Sequence, residues 1–120
     1  MKYSFKKKTI DTTNLVYFLS EIYDDEFKIL EHLYFPDFRT SELKKIIDGI
    51  EKSKTQEKGE EYFWGNEDVR LYANKNGVFL IDDLGARAGE TDPDKLYLVL
   101  SHDEMLQFLK DFKKFVEENA

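Results

Sequence analysis

The sequence predicts an α+β domain in which helices pack on a mainly antiparallel sheet of about four to five strands. Two segments, 41–53 and 102–118, carry apolar residues at the spacing of a helix that buries one face. Four short runs between residues 60 and 100 alternate or are wholly apolar, and the Asn76-Gly77 pair between two of them is typical of a tight hairpin turn. The 120 residues contain no Pro/Gly-rich linker, so we expect a single globular domain over 1–120.

The N-terminal third is predicted to form an edge strand, a helix and a second strand. Residues 2–5 alternate between polar and apolar, and the nearby lysines would discourage pairing between sheet edges. Apolar residues at helical spacing follow a possible cap at Asp11 or Thr12: Leu15, Phe18, Leu19 and Ile22. They predict a first helix near 12–23. A strand ending near Phe35 is predicted next, because apolar residues there lie two or four positions apart, with a helical continuation as the alternative.

The central part of the chain is predicted to be a helix followed by strands. The helix over 41–53 has an i, i+3, i+4, i+7 stripe: Leu43, Ile46, Ile47 and Ile50. Residues 52–59 have no apolar side chain and are expected to form a mobile surface connection. Alternation over 69–73 predicts a strand with one buried face. The runs Val78–Ile81 and Leu96–Leu100 are apolar on both faces, which predicts central strands covered on both sides.

The last helix is expected to begin with a capping box. Ser101 can accept a hydrogen bond from the backbone of Glu104, while the Glu104 side chain reaches back to the backbone of Ser101. The predicted buried stripe of this helix is Met105, Phe108, Leu109, Phe112, Phe115 and Val116.

Acidic residues are concentrated in one part of the chain. The whole sequence has 25 acidic and 18 basic residues, a net charge of −7. The segment 60–104 alone has eleven acidic and four basic residues, so it carries the entire excess of seven, and the rest is neutral. This distribution favours a basic protein partner over nucleic acid or an anionic membrane. The alternative is that the excess acid serves only solubility.

Patterns typical of catalysis and metal binding do not occur in the sequence. There is no cysteine for thiolate chemistry, and Ser101, His102 and Asp103 are consecutive, so their side chains diverge instead of converging as a triad. The loop Asp82–Asp94 lacks the lysine of a phosphate loop and the ligand spacing of an EF-hand. We therefore expect no enzyme activity, no cofactor and no metal. The Cys-free composition, with apolar runs of at most five residues, predicts a cytoplasmic protein without secretory or transmembrane segments.

The candidate partner-binding residues are aromatic and acidic side chains of the acidic segment. Tyrosine and tryptophan beside carboxylates suit an interface, because they give large contact area with a polar atom at the end. The predicted binding residues are Tyr62, Trp64, Glu67, Asp68, Tyr72, Asp82, Asp83, Glu90, Asp92 and Asp94. Half or more of the aromatic residues in this segment are expected to be core, Phe63 above all.

The layout resembles small bacterial immunity proteins of contact-dependent growth inhibition and related polymorphic toxin systems. The resemblance rests on an acidic Cys-free domain with the segment Leu15–Tyr23, Tyr34-Phe35-Pro36 before a helix, Tyr62-Phe63-Trp64-Gly65 before a hairpin, and a long final helix. It implies a stoichiometric inhibitor of a basic toxin domain, often a nuclease, that acts by occlusion of an active site or a substrate surface. A regulatory or scaffolding domain for another basic protein is the alternative, and a carboxylate-dependent enzyme is the third.

Overall fold

The computed structural model describes residues 1–56 and 60–120, which form seven strands and four α-helices in an α+β arrangement. The strands are β1 (Tyr3–Ile10), β2 (Leu15–Ile22), β3 (Phe35–Pro36), β4 (Tyr62–Gly65), β5 (Val69–Asn74), β6 (Gly77–Asp82) and β7 (Tyr97–Leu100). The helices are α1 (Ser41–Ser53), α2 (Asp83–Arg87), α3 (Pro93–Leu96) and α4 (His102–Asn119), with 3₁₀ helices at Asp25–His32 and Asp37–Arg39. The predicted α+β class is confirmed, but the strands form two antiparallel sheets, β1-β2-β3 and β4-β5-β6-β7, and not one.

The predicted helix near 12–23 is wrong, because this segment is strand β2. It pairs with β1 along its whole length, from Ile10 opposite Leu15 to Tyr3 opposite Ile22. Every second side chain from Phe18 to Ile22 is buried, so Phe18, Ser20 and Ile22 share the inner face of the strand. The Ser20 hydroxyl donates a hydrogen bond to the Leu30 carbonyl oxygen at 3.4 Å. The expected edge strand near residues 2–5 is confirmed as part of β1.

The predicted strand ending near Phe35 is also largely wrong. Residues Asp25–His32 form a 3₁₀ helix, and the pairing is limited to β3, which lies opposite Tyr17 and Phe18. The 3₁₀ helix buries Ile29 and Leu30 under the sheets. Leu30 and the cap residue Leu33 are buried three positions apart, which is the repeat of a 3₁₀ helix, whereas side chains three positions apart would point to opposite faces of a strand.

Helices α1 and α4 cover the inner face of the second sheet and confirm the predicted bounds 41–53 and 102–118 closely. Both predicted apolar stripes are buried, apart from Phe115, which is partly exposed. The capping box is confirmed: Glu104 N donates to Ser101 Oγ and Ser101 N donates to Glu104 Oε1, both at 3.1 Å. Aromatic contacts join the two sheets in one core: Phe112 of α4 lies 5.5 Å from Phe35 of β3, and Phe35 lies 5.9 Å from Trp64 of β4, between ring centroids.

The strands of the second sheet follow the predicted hairpin. Asn74 pairs with Gly77, which has a φ of 149°, and Val69, Leu71 and Ala73 are buried on one face as predicted. The predicted connection 52–59 begins later than expected, because α1 continues through Ser53. Its residues 57–59 lie outside the described part of the chain.

Candidate functional site

Alternation along β4 separates the aromatic residues of the acidic segment onto two faces. Tyr62 and Trp64 face the helices and Phe35, and the Trp64 and Phe35 ring centroids are 5.9 Å apart. The Tyr62 ring packs so closely on Gly49 of α1 that a Cβ at Gly49 would have no room, and burial raises the pKa of Tyr62. Phe63, predicted to be the most buried of the group, is 54% exposed on the opposite face. The prediction that Phe63 belongs to the core is therefore wrong.

The solvent-facing side of the β4–β7 sheet carries a row of apolar side chains across all four strands. The row follows the backbone register: Phe63 opposite Tyr72, Tyr72 opposite Phe79, and Phe79 opposite Val99. The Phe63 and Tyr72 ring centroids are 5.1 Å apart. Val99 is 65% exposed. We call this surface, together with the adjacent row of Arg70, Ile81 and Tyr97, the open sheet face.

The adjacent row of the open sheet face contains Arg70, Ile81 and Tyr97, which are opposite one another on β5, β6 and β7. Tyr97 is 53% exposed. The predicted coverage of β7 on both sides is therefore wrong, because β7 is an edge strand with one face exposed. Arg70 donates from Nε and Nη2 to the Asp83 carboxylate at 2.9 Å each, and Asp83 and the Tyr72 hydroxyl raise the pKa of Arg70. This pairing neutralises the cation on the face.

The residues after β4 form a fixed acidic corner. Asn66 Oδ1 accepts hydrogen bonds from Asp68 N at 2.8 Å and Val69 N at 2.9 Å, and Asn66 Nδ2 donates to the His32 carbonyl oxygen at 2.9 Å. Asp68 lies 3.4 Å from Arg87 Nη2. Burial and the nearby carboxylates of Asp68 and Glu67 raise the pKa of Tyr34. Trp64 and Glu67 line a cavity of about 460 Å³ at this corner.

The predicted loop Asp82–Asp94 contains the short helix α2 and the start of α3, and it borders a second cavity of about 570 Å³. Asp82 caps α2 by accepting from Gly85 N at 2.8 Å, and its Oδ1 lies 3.2 Å from His32 Nε2. Glu90 accepts from Asp92 N, and Asp92 accepts from Asp94 N, both at 3.0 Å. These carboxylates are therefore engaged in holding the turns that carry them.

The ten predicted binding residues thus fall in separate places. Tyr72 and Asp83 lie on or beside the open sheet face; Trp64, Glu67 and Asp68 lie at the acidic corner; Asp82, Glu90 and Asp94 line the second cavity; Asp92 is exposed near it; and Tyr62 packs on α1. The residues of the open sheet face that the prediction omits are Phe63, Tyr97 and Val99, which are exposed, and Phe79 and Ile81, which are half-buried. For the four residues in β6 and β7 the sequence carries a signal, the doubly apolar runs, but such runs predict coverage on both sides.

Comparisons with known proteins leave the function to be argued from the site. No family model and no curated protein matches this sequence. Within residues 1–56 and 60–120, no group of three or more His, Asp or Glu side chains is arranged to hold a metal ion. In the same part of the chain, no helix has the length and apolar character needed to span a bilayer.

Proposed function

We propose that the protein is a stoichiometric inhibitor that binds a basic protein, and specifically an immunity protein that neutralises a basic toxin domain by covering its active site or substrate surface. The observation that carries this proposal is the acidic excess of residues 60–104 on the surface. Two of the four bases of this segment, Arg70 and Arg87, are already engaged by Asp83 and Asp68 of the same segment. Most of its remaining acids are exposed.

A surface of this kind favours fast association with a partner of opposite charge. Complementary fields raise association rates by roughly ten- to a thousandfold at low salt, and the effect falls steeply as salt screens the charges. A nuclease domain holds phosphates with lysine and arginine, so its substrate surface is basic by necessity. An acidic inhibitor is therefore guided to the surface whose occlusion stops the reaction.

The resemblance to bacterial immunity proteins supports the class of partner, and the Cys-free composition supports the cytoplasm as the compartment. Capture of the partner from the native host, followed by mass spectrometry, tests the proposal. We expect a basic protein, bound one to one, whose activity falls to background at equimolar inhibitor. Capture of a basic protein whose activity is unaffected would favour the regulatory or scaffolding alternative.

Charge reversal of exposed acidic residues tests whether the acidic segment accelerates association with the basic partner. Glu60, Glu67 and Asp94 are exposed in the acidic segment, and Asp11, Asp37 and Glu118 form an exposed control set with the same charge. Lysine at the first set should slow association about tenfold or more at low salt, with the difference shrinking at high salt. Lysine at the control set should change it much less. Equal effects from both sets, or capture of no basic protein, would overturn the proposal.

A further inference from the structure

We infer that the open sheet face is the surface on which the basic partner makes its central, water-excluding contact. This inference rests on the proposed function and extends it, because acidic steering alone does not locate the contact. Antiparallel sheets are commonly covered on one face and solvated on the other, with polar residues on the solvated side. Here the solvated side presents instead Phe63, Tyr72, Phe79 and Val99 in one register row, with Ile81 and Tyr97 beside them.

The size of the face suits the centre of an interface. Four strands spaced about 4.8 Å apart, with two rows of side chains about 7 Å apart, give a patch of roughly 300 Å². A stable interface takes about 800 Å² from each partner, with an apolar centre and a polar rim. The apolar rows therefore supply the centre, and the surrounding polar residues must supply the rest.

The rim of the face carries negative charge at both ends of the strands. At one end Glu61 Oε2 accepts a hydrogen bond from Asn74 Nδ2 at 3.3 Å; at the other, Asp83 is neutralised by Arg70, and the exposed Glu67 in the turn between β4 and β5 carries the negative charge. A second copy of this chain brought face to face would place acids near acids in a molecule of net charge −7, which disfavours self-association. Nucleic acid is disfavoured for the same reason. A basic protein, by contrast, is attracted by the carboxylates of the rim and can bury apolar surface against the centre of the face.

The chemistry of the face also indicates which partner side chains it accepts. Arginine and lysine can lay their aliphatic stems on apolar rows while their charged ends reach carboxylates at the rim. The rings of Phe63 and Tyr97 are more than half exposed, so a guanidinium can also stack on them. We therefore expect a partner surface in which basic side chains surround a small apolar patch.

Single substitutions on the open sheet face test the inference with the captured partner. Phe63→Ala and Tyr97→Ala should each raise the dissociation rate tenfold or more. Val99→Lys should raise it about a hundredfold, because it places a cation against a basic partner. All three side chains are more than half exposed, so thermal melting should remain near that of the wild type. Phe38→Ala is the matched control, since Phe38 is 70% exposed on the second 3₁₀ helix, away from this face, and should leave dissociation unchanged.

The outcomes separate this inference from the proposed function. If reversal of exposed acids slows association but the three face variants keep wild-type dissociation, the contact lies elsewhere and the inhibitor proposal stands. If face variants weaken binding of a captured partner that is not basic, the inhibitor proposal fails and the face remains the contact. Sedimentation of the protein alone supplies the last outcome: a dimer that Val99→Lys converts to a monomer would show that a second copy occupies the face.

Discussion

Replacement of Leu80 by alanine tests whether the second sheet is packed as the structure shows. Leu80 is 1% exposed, lies in β6 between Leu71 and Leu98, and faces the helices. Removal of three carbons at about 0.8 kcal/mol each costs about 2.4 kcal/mol in lost burial. A residual cavity of about 50 Å³ adds about 1 kcal/mol at ~24 cal/mol per Å³. We therefore expect a loss of about 3–4 kcal/mol in the free energy of unfolding, a large part of the stability of a small domain.

Urea denaturation followed by circular dichroism measures this loss as a lower midpoint with an unchanged slope. Val99→Ala is the control on the neighbouring strand, because Val99 is 65% exposed and should cost less than about 0.5 kcal/mol. A cost below about 0.5 kcal/mol for Leu80→Ala, or equal costs for the two variants, would refute the assignment of inner and outer faces.

Three further perturbations address single contacts. Ser101→Ala should lower the free energy of unfolding by about 1 kcal/mol in denaturation and leave partner binding unchanged, because Ser101 caps α4; lost binding at full stability would contradict this. Gly49→Ala should lower the free energy of unfolding by about 1–3 kcal/mol, because the added Cβ collides with Tyr62. Helix propensity alone predicts that the same change raises it by about 1 kcal/mol, so a measured increase would contradict the close packing of Tyr62 on Gly49. Burial and the hydrogen bond to Asp111 raise the pKa of Tyr3. Its proton is thus held more tightly in the folded state, so the free energy of unfolding should fall as pH rises above about 10, and less steeply in Tyr3→Phe.

The helical parts of the fold were predictable where one periodicity had no competitor. The apolar stripe repeats over about two turns in α1 and about three in α4, with charged residues between its members, and Ser101 marks the start of α4. In β2 two periods compete. Leu15, Phe18, Leu19 and Ile22 match a helix, whereas the strand period passes through Ser20, a polar residue that hides the alternation. Ser20 is buried and satisfied by a carbonyl of the 3₁₀ helix, a long-range partner that the local pattern does not contain.

The candidate site was predictable in its charge and less so in its geometry. The acidic excess depends on composition, so it is the same in any fold. Asp68 and Asp83, however, are paired with Arg87 and Arg70 through contacts between separate elements, and Asp82 caps a helix. Three of the predicted binding carboxylates therefore have structural partners that spacing along the chain did not reveal.

The position of one glycine decides which aromatic residues of β4 are available to a partner. Alternation requires that Tyr62 and Trp64 share one face and Phe63 the other, but it does not say which face is covered. Gly49 in α1 leaves the space that the Tyr62 ring fills, so Tyr62 turns toward the helix and Phe63 turns to solvent. The register then extends this choice across the sheet, because Phe63 is opposite Tyr72 and each following strand continues the row as far as Val99. A helix–strand contact on the inner side therefore determines the composition of the open sheet face on the outer side.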